Sequence, residues 1–383
     1  MKRKPGLLAK FQMTLFVAIV FVAGTSQAQQ NTALMIDSVA VFEPVEGIYT
    51  SMRIPALVVT KKGTLLAFAV GRINNGSDWA DMDLLVKRSE DGGKTWGPVQ
   101  VVAERAGAKP TDNPTPIVGR DGVIHLIYQR DYAYAYYTKS DDDGLTWAFP
   151  VNITKAFEPL RKVYNWKVLA PGPGHAIQLK SGRLIVPVWL ADSDKLTPHR
   201  SHHPSRIATI YSDDNGRSWK NGQLVPDAEG FKNPSETMAI ELADGRVMLS
   251  IRNESALRKR GVSYSRDGIS GWTKPGYQED IFEPVCMGSI IKTRFKGKEY
   301  FLFVNPGSEK IEKHPRENLT IKISSDQGKT WPVHKVINKG FSGYSDIAVG
   351  ADNMIYVLYE TRSEKGKGLA LILKKMKFED LLK

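Results

Sequence analysis

Seven residues spread along the chain have side chains that could act together on an anionic substrate. They are Arg53 in MRIP, Asp78 after GRINNGS, Glu236 in NPSETMAIEL, Arg252 in SIRN, Arg316 in HPRENLTIKIS, Tyr344 in GYSD and Glu360 in LYE. Guanidinium groups make charge-assisted, partly bidentate hydrogen bonds to a carboxylate. A carboxyl group that changes protonation can donate to a leaving oxygen and then activate water. A phenol, with a reference pKa of about 10, attacks only when a neighbour takes its proton. Each residue alone also fits a structural role. Arg53 could pair with an acid at a strand end, and Asp78, near Asp81 and Asp83, could be a solvated turn residue. Glu236 and Arg252 could form a surface pair, Arg316 could lie on an exposed loop, and Tyr344 could belong to the core. Position in the fold decides between the readings.

The elements that must position them repeat. The pattern Ser-x-Asp-x-Gly-x-x-Trp occurs at 89–96, 140–147, 212–219 and 324–331, and a weaker copy at 265–272 has Ile269 where Gly should stand. Five of the eight Trp residues close a copy, and the starts are 51, 72, 53 and 59 residues apart, about one four-stranded blade each. The chemistry of the motif is that of a turn: Asp accepts from backbone N–H groups just ahead, Gly permits positive φ, and Trp anchors the turn in apolar surroundings. Alternating runs precede the copies, and Lys62-Gly63, Asp121-Gly122, Ser181-Gly182 and Asp244-Gly245 mark further turns. Residues 369–376 are expected to pair with the N-terminal end and close a ring. The prediction is one all-β domain, a six-bladed β-propeller with Asp-box turns.

Composition agrees. The chain of 383 residues is 42% hydrophobic, 25% charged and 9% aromatic, with 33 Gly and 21 Pro. That excludes a disordered, collagen-like or multi-span membrane protein. Residues 1–28, with Lys2, Arg3, Lys4 and Lys10, a short apolar run at 13–24 and small residues before Ala28, read as a cleaved signal peptide. The expectation is an exported mature chain, periplasmic or secreted, without stable membrane insertion, its propeller occupying 29–383. The leader holds four cationic and no acidic residues, so the formal charge of +12 becomes +8. Such a balance suits acidic partners, but the scattered cations disfavour nucleic acid. Cys286, the sole cysteine, is expected to pack as a small apolar residue.

With the Asp-boxes, Arg-Ile-Pro near the N-terminus and the ordered Arg, Glu and Tyr segments, the sequence resembles the bacterial exo-sialidases (neuraminidases) of glycoside hydrolase family 33. The resemblance implies roles. Arg53, Arg252 and Arg316 match the arginines that clamp the sugar carboxylate. Tyr344 matches the nucleophile, Glu236 the carboxylate that takes its proton, and Asp78 the acid/base residue. Glu360 matches the acid that orients the first arginine. Arg72 resembles the arginine that reaches ring hydroxyls, and Asn113 in DNPT falls where members contact ring substituents. Family members often carry an acid two residues before the arginine matched by Arg72; here that residue is Val70. The implied activity is retaining hydrolysis of terminal sialic acids from glycoproteins, glycolipids and oligosaccharides, with no cofactor or metal.

The chemistry explains the unusual nucleophile. An anionic nucleophile approaching a carbon that bears a carboxylate meets like-charge repulsion, whereas a neutral phenol does not; sialidases are the tyrosine exception among retaining glycosidases. Asp78 must be protonated to donate to the leaving oxygen, so its pKa is expected to rise in the substrate complex. The rival readings are a non-catalytic sialoglycan-binding propeller, a trans-sialidase and a hydrolase of a related nonulosonic acid. The His199–His203 segment could bind metal, but no acidic or Cys ligand shares it, and it reads as a rim loop that could contact the aglycone, while His175 reads as structural. Trp79 could line the site or only pack.

Overall fold

The computed structural model describes Met1 and residues 36–105, 107, 109–193, 195, 198–309 and 316–383. The expected leader at 1–28 and its cleavage point lie outside them. The described strands form six antiparallel sheets, each a blade. The innermost strands are Ser51–Val59, Thr111–Val118, Val168–Pro171, Thr237–Glu241, Ser289–Phe295 and Ser345–Val349. Neighbouring blades meet in ring order through these strands, with Leu184–Ala191 completing the step from third to fourth. The N-terminal strand Asp37–Phe42 is the outermost strand of the last blade, paired antiparallel with Leu369–Lys377 from Asp37↔Lys375 onward. These two strands close the ring, as expected for residues 369–376.

Each Asp-box joins the third strand of its blade to the fourth. The Ser hydroxyl bonds the Asp carboxylate at 2.7–2.9 Å in all five copies. That carboxylate also accepts from the backbone and hydroxyl of the residue before Trp, as Asp142 does from Thr146. These bonds hold Asp142 and Asp214 down at about 2, below the usual carboxylate range. The acids belong to their turns. The weaker copy makes the same set with one residue fewer: Gly268, at φ +75°, takes the left-handed position, and the Asp267 carboxylate accepts from Ser270. Box tryptophans pack on the preceding blade; Trp147 meets Phe68 at 5.9 Å and Trp219 meets Tyr137 at 5.6 Å between ring centroids. The boxes weld blade to blade at one end of the strands and leave the other end free for a site.

A buried acid ties the ring near its axis. Asp346 is fully buried and accepts from the Leu57 backbone (2.8 Å), the His175 backbone (2.9 Å) and ring Nδ1 (2.7 Å), and the Ser289 hydroxyl (2.6 Å). These donors come from the first, third and fifth blades and Asp346 from the sixth. His175 is structural. Cys286 is buried among apolar neighbours, and burial pushes its thiol up to about 11.

Candidate active site

Antiparallel pairing explains why distant residues share one rim. In each blade the first strand begins, the second ends and the third begins at the same end. Arg53 and Asn113 lie near the starts of first strands, and Glu236 and Tyr344 immediately precede such strands. Arg72 and Glu360 stand at or near the ends of second strands and Arg252 just beyond one, while Arg316 directly precedes a third strand. Asp78 lies on the loop between the second and third strands of the first blade. All nine expected site residues therefore lie at the rim opposite the Asp-boxes.

Local sequence shapes the entry. In the first blade a bulge interrupts the pairing between Arg53 and Ala56, and in the second between Asp112 and Thr115. Each contains a residue at positive φ before proline: Ile54 at +55° and Asn113 at +61°. For β-branched Ile54 this is a strained conformation. The Glu360 carboxylate supports it by accepting the Ile54 N–H at 2.9 Å.

Three arginines surround one phenol. The guanidinium carbons of Arg53, Arg316 and Arg252 lie 5.3, 5.4 and 5.9 Å from the centre of the Tyr344 ring. The Tyr344 hydroxyl donates to Glu236 Oε1 and accepts from Arg252 Nη1 at 2.8 Å, and Arg252 Nη1 also pairs with Glu236 Oε2. Burial pushes the phenol well above its usual pKa; the three arginines oppose the rise and Glu236 reinforces it. At neutral pH Tyr344 is an uncharged phenol hydrogen-bonded to Glu236.

Glu360 ties Arg53 and Tyr344 together. It is fully buried and binds Arg53 bidentately, Nε to Oε1 at 3.0 Å and Nη2 to Oε2 at 3.1 Å, and Oε2 also accepts the Tyr344 N–H at 3.1 Å. Burial works to raise its pKa, but the Arg53 charge and these hydrogen bonds leave it below the usual carboxylate value. Gly343 permits the approach, since a Cβ there would sit 2.3 Å from Glu360 Oε2. Arg316 donates to the Val285 carbonyl at 3.0 Å and points its charge at the same phenol.

Asp78 is half exposed at the mouth, paired with Arg72 at 2.7 Å and with Arg53 at 3.5 Å. Burial acts upward on its carboxyl, yet the two arginines hold it below its ordinary pKa. Without substrate it is ionised. The Arg72 side chain is completely covered, and its terminal nitrogens bond the Gly76 carbonyl and Asp78. In this state it shapes the loop and holds Asp78 rather than facing a sugar. Asn113 does line the cavity, but its amide donates to the Pro171 carbonyl at 3.0 Å.

The cavity between these residues also takes in His202 of the expected rim loop, and Asp112, Tyr132, Trp189 and Ser235, which sequence reasoning did not single out. Asp112 precedes Asn113 in the same DNPT segment. Strand alternation would put neighbours on opposite faces, and the bulge brings both to the cavity. Asp112 is fully buried, and burial pushes its carboxyl up to about 6. Trp79 packs on Tyr132 and His202, which line the cavity, and on His199.

Comparison with known proteins agrees with the geometry. Residues 52–357 match the BNR repeat-like domain. A sialidase of Bacteroides fragilis is 30% identical over 81% of this chain and 60% of its own length. A sialidase of Micromonospora viridifaciens is 31% identical over 82% of this chain and 50% of its own. The chain thus spans about half to three-fifths of the length of these relatives. Among solved structures, a Hadza microbial sialidase superposes with a TM-score of 0.75 at 26% identity, covering 89% of this chain and 68% of that one. Repeat, ring and match coincide: the chain belongs to the BNR repeat-like family, with sialidases as its relatives.

Proposed function

We propose that this chain is an exo-sialidase that hydrolyses terminal sialic acids from sialylated glycans with retention of configuration. One observation carries the reading: an uncharged Tyr344, hydrogen-bonded to Glu236, lies amid three guanidinium groups. The arginines would hold the sugar carboxylate, which sits on the anomeric carbon, and so bring that carbon to the phenol oxygen. As Tyr344 Oη bonds to the anomeric carbon, its proton passes to Glu236 and the bond to the leaving oxygen breaks. Asp78 donates its proton to that oxygen. In the second step the Asp78 carboxylate takes a proton from water, whose oxygen displaces Tyr344, and Glu236 returns the phenolic proton.

The ionised state of Asp78 in the free site fits this sequence. A bound carboxylate draws on the charge of Arg53 and adds a negative charge nearby, so both changes raise the Asp78 pKa. The test is turnover of sialyllactose, whose leaving group needs acid help, by wild type, Tyr344→Phe and Asp78→Ala, with folding checked by circular dichroism. Both variants should lose activity by at least about 100-fold, the scale of removing general acid–base or nucleophilic help. Product NMR should show the α-anomer first. Full activity in both variants, or first release of the β-anomer, refutes the mechanism; absence of wild-type turnover refutes the function.

A further inference from the structure

We propose that the rim segment 199–202 is a positioning strap for the Asp78 carboxyl and that it acts through Trp79; the inference rests on the acid/base role of Asp78. Trp79 follows Asp78 directly. Its ring stacks on His199 at 5.0 Å with 4° between planes, and the Arg200 guanidinium lies 5.2 Å from its centre. Tyr132 and His202 close the other contacts at 4.9 and 5.7 Å. Arg200 is itself fixed to the second blade, bonding the Asp131 carbonyl and pairing with its carboxylate at 3.2 Å. Loops of the first, second and third blades are thus interlocked around one indole.

The interlock has a consequence for the reaction. Asp78 is half exposed, and its polar ties are Arg72 and Arg53. A substrate carboxylate competes for Arg53. Once that arginine turns to the substrate, Arg72 from below and Trp79 from the side keep the carboxyl aimed at the leaving oxygen. Proton transfer is sensitive to such aim, since a misplacement of about 1 Å can cost about 100-fold.

His199 is exposed, so truncating it spares the core. The experiment measures kcat and KM of His199→Ala, Arg200→Ala and His199→Phe on sialyllactose and on 4-nitrophenyl sialoside, whose leaving group needs little acid help. The expected result is a kcat loss of about tenfold on sialyllactose in both alanine variants. The nitrophenyl substrate should change less than about threefold, KM should hold, and His199→Phe, which can still stack, should be close to wild type. Equal losses on both substrates, a change in KM alone, no loss, or failure of His199→Phe to rescue overturns the strap. Asp78→Ala serves as reference: if it shows the leaving-group dependence and His199→Ala does not, only the strap fails. If Asp78→Ala itself lacks that dependence, the underlying mechanism fails.

Discussion

Replacing Glu360 by Gln removes one negative charge from the interior and keeps the shape. In the wild type the two carboxylate oxygens accept four hydrogen bonds, from Arg53 Nε and Ile54 N on one oxygen and from Arg53 Nη2 and Tyr344 N on the other. A carboxamide has one oxygen. Whichever way it turns, its NH2 faces two donors that lose their acceptor, at about 1–3 kcal/mol each. Arg53 also loses a buried counter-charge, and breaking such a pair costs about 3–5 kcal/mol. The two estimates describe the same groups and do not add. We expect a loss of about 3–5 kcal/mol, which for a chain of this length lowers Tm by about 4–7 °C. Part is recovered if Arg53 leans onto Asp78, already 3.5 Å away, but that move further stabilises the ionised Asp78 carboxylate. Thermal unfolding by calorimetry and kinetics on an aryl sialoside are the assays, and KM should rise as the clamp loosens. The pH dependence has a definite sign. Glu360 has a depressed pKa in the folded chain, so its contribution is present above about pH 4.5 and is lost as pH falls through the folded value. The Tm gap between wild type and Glu360→Gln should therefore narrow in acid. A variant with unchanged Tm and KM at pH 7 would show that the carboxylate neither holds the clamp nor carries the charge assigned to it.

Two further outcomes test the scaffold. Asp346 raises the pKa of buried His175 against the downward pull of burial, so that pair stabilises fully below about pH 6.5 and less as pH rises through the folded value. The Tm gap between wild type and His175→Asn should be largest near pH 5.5 and shrink in alkali; a gap that grows with pH contradicts the assignment. In the third Asp-box, Gly216 has φ +82° and a Cβ there would lie 2.3 Å from the Tyr137 hydroxyl, which is bonded to His125. Gly216→Ala should cost about 2–4 kcal/mol in urea unfolding, against about 1 for Gly63→Ala, where φ is +87° and space is open. Equal costs would mean that backbone strain alone governs these turns.

The repeat was legible in the chain because every bond that makes an Asp-box lies within eight residues: Ser, Asp, Gly and Trp write their turn locally, and five such turns imply blades. The arginines, Glu236, Tyr344 and Glu360 were legible as a set by their order and segment context. Their convergence was not written in any single segment. Arg53 and Glu360 meet across 307 positions because antiparallel blades return the starts and ends of their strands to one rim. Burial, too, belongs to the tertiary structure. It covers Arg72 completely, lifts Asp112 to about 6 and keeps the Tyr344 phenol neutral, whereas the arginines at the mouth keep Asp78 ionised. Local hydrogen bonding can be read from neighbours in sequence; desolvation and charge at a site depend on what the whole ring packs around it.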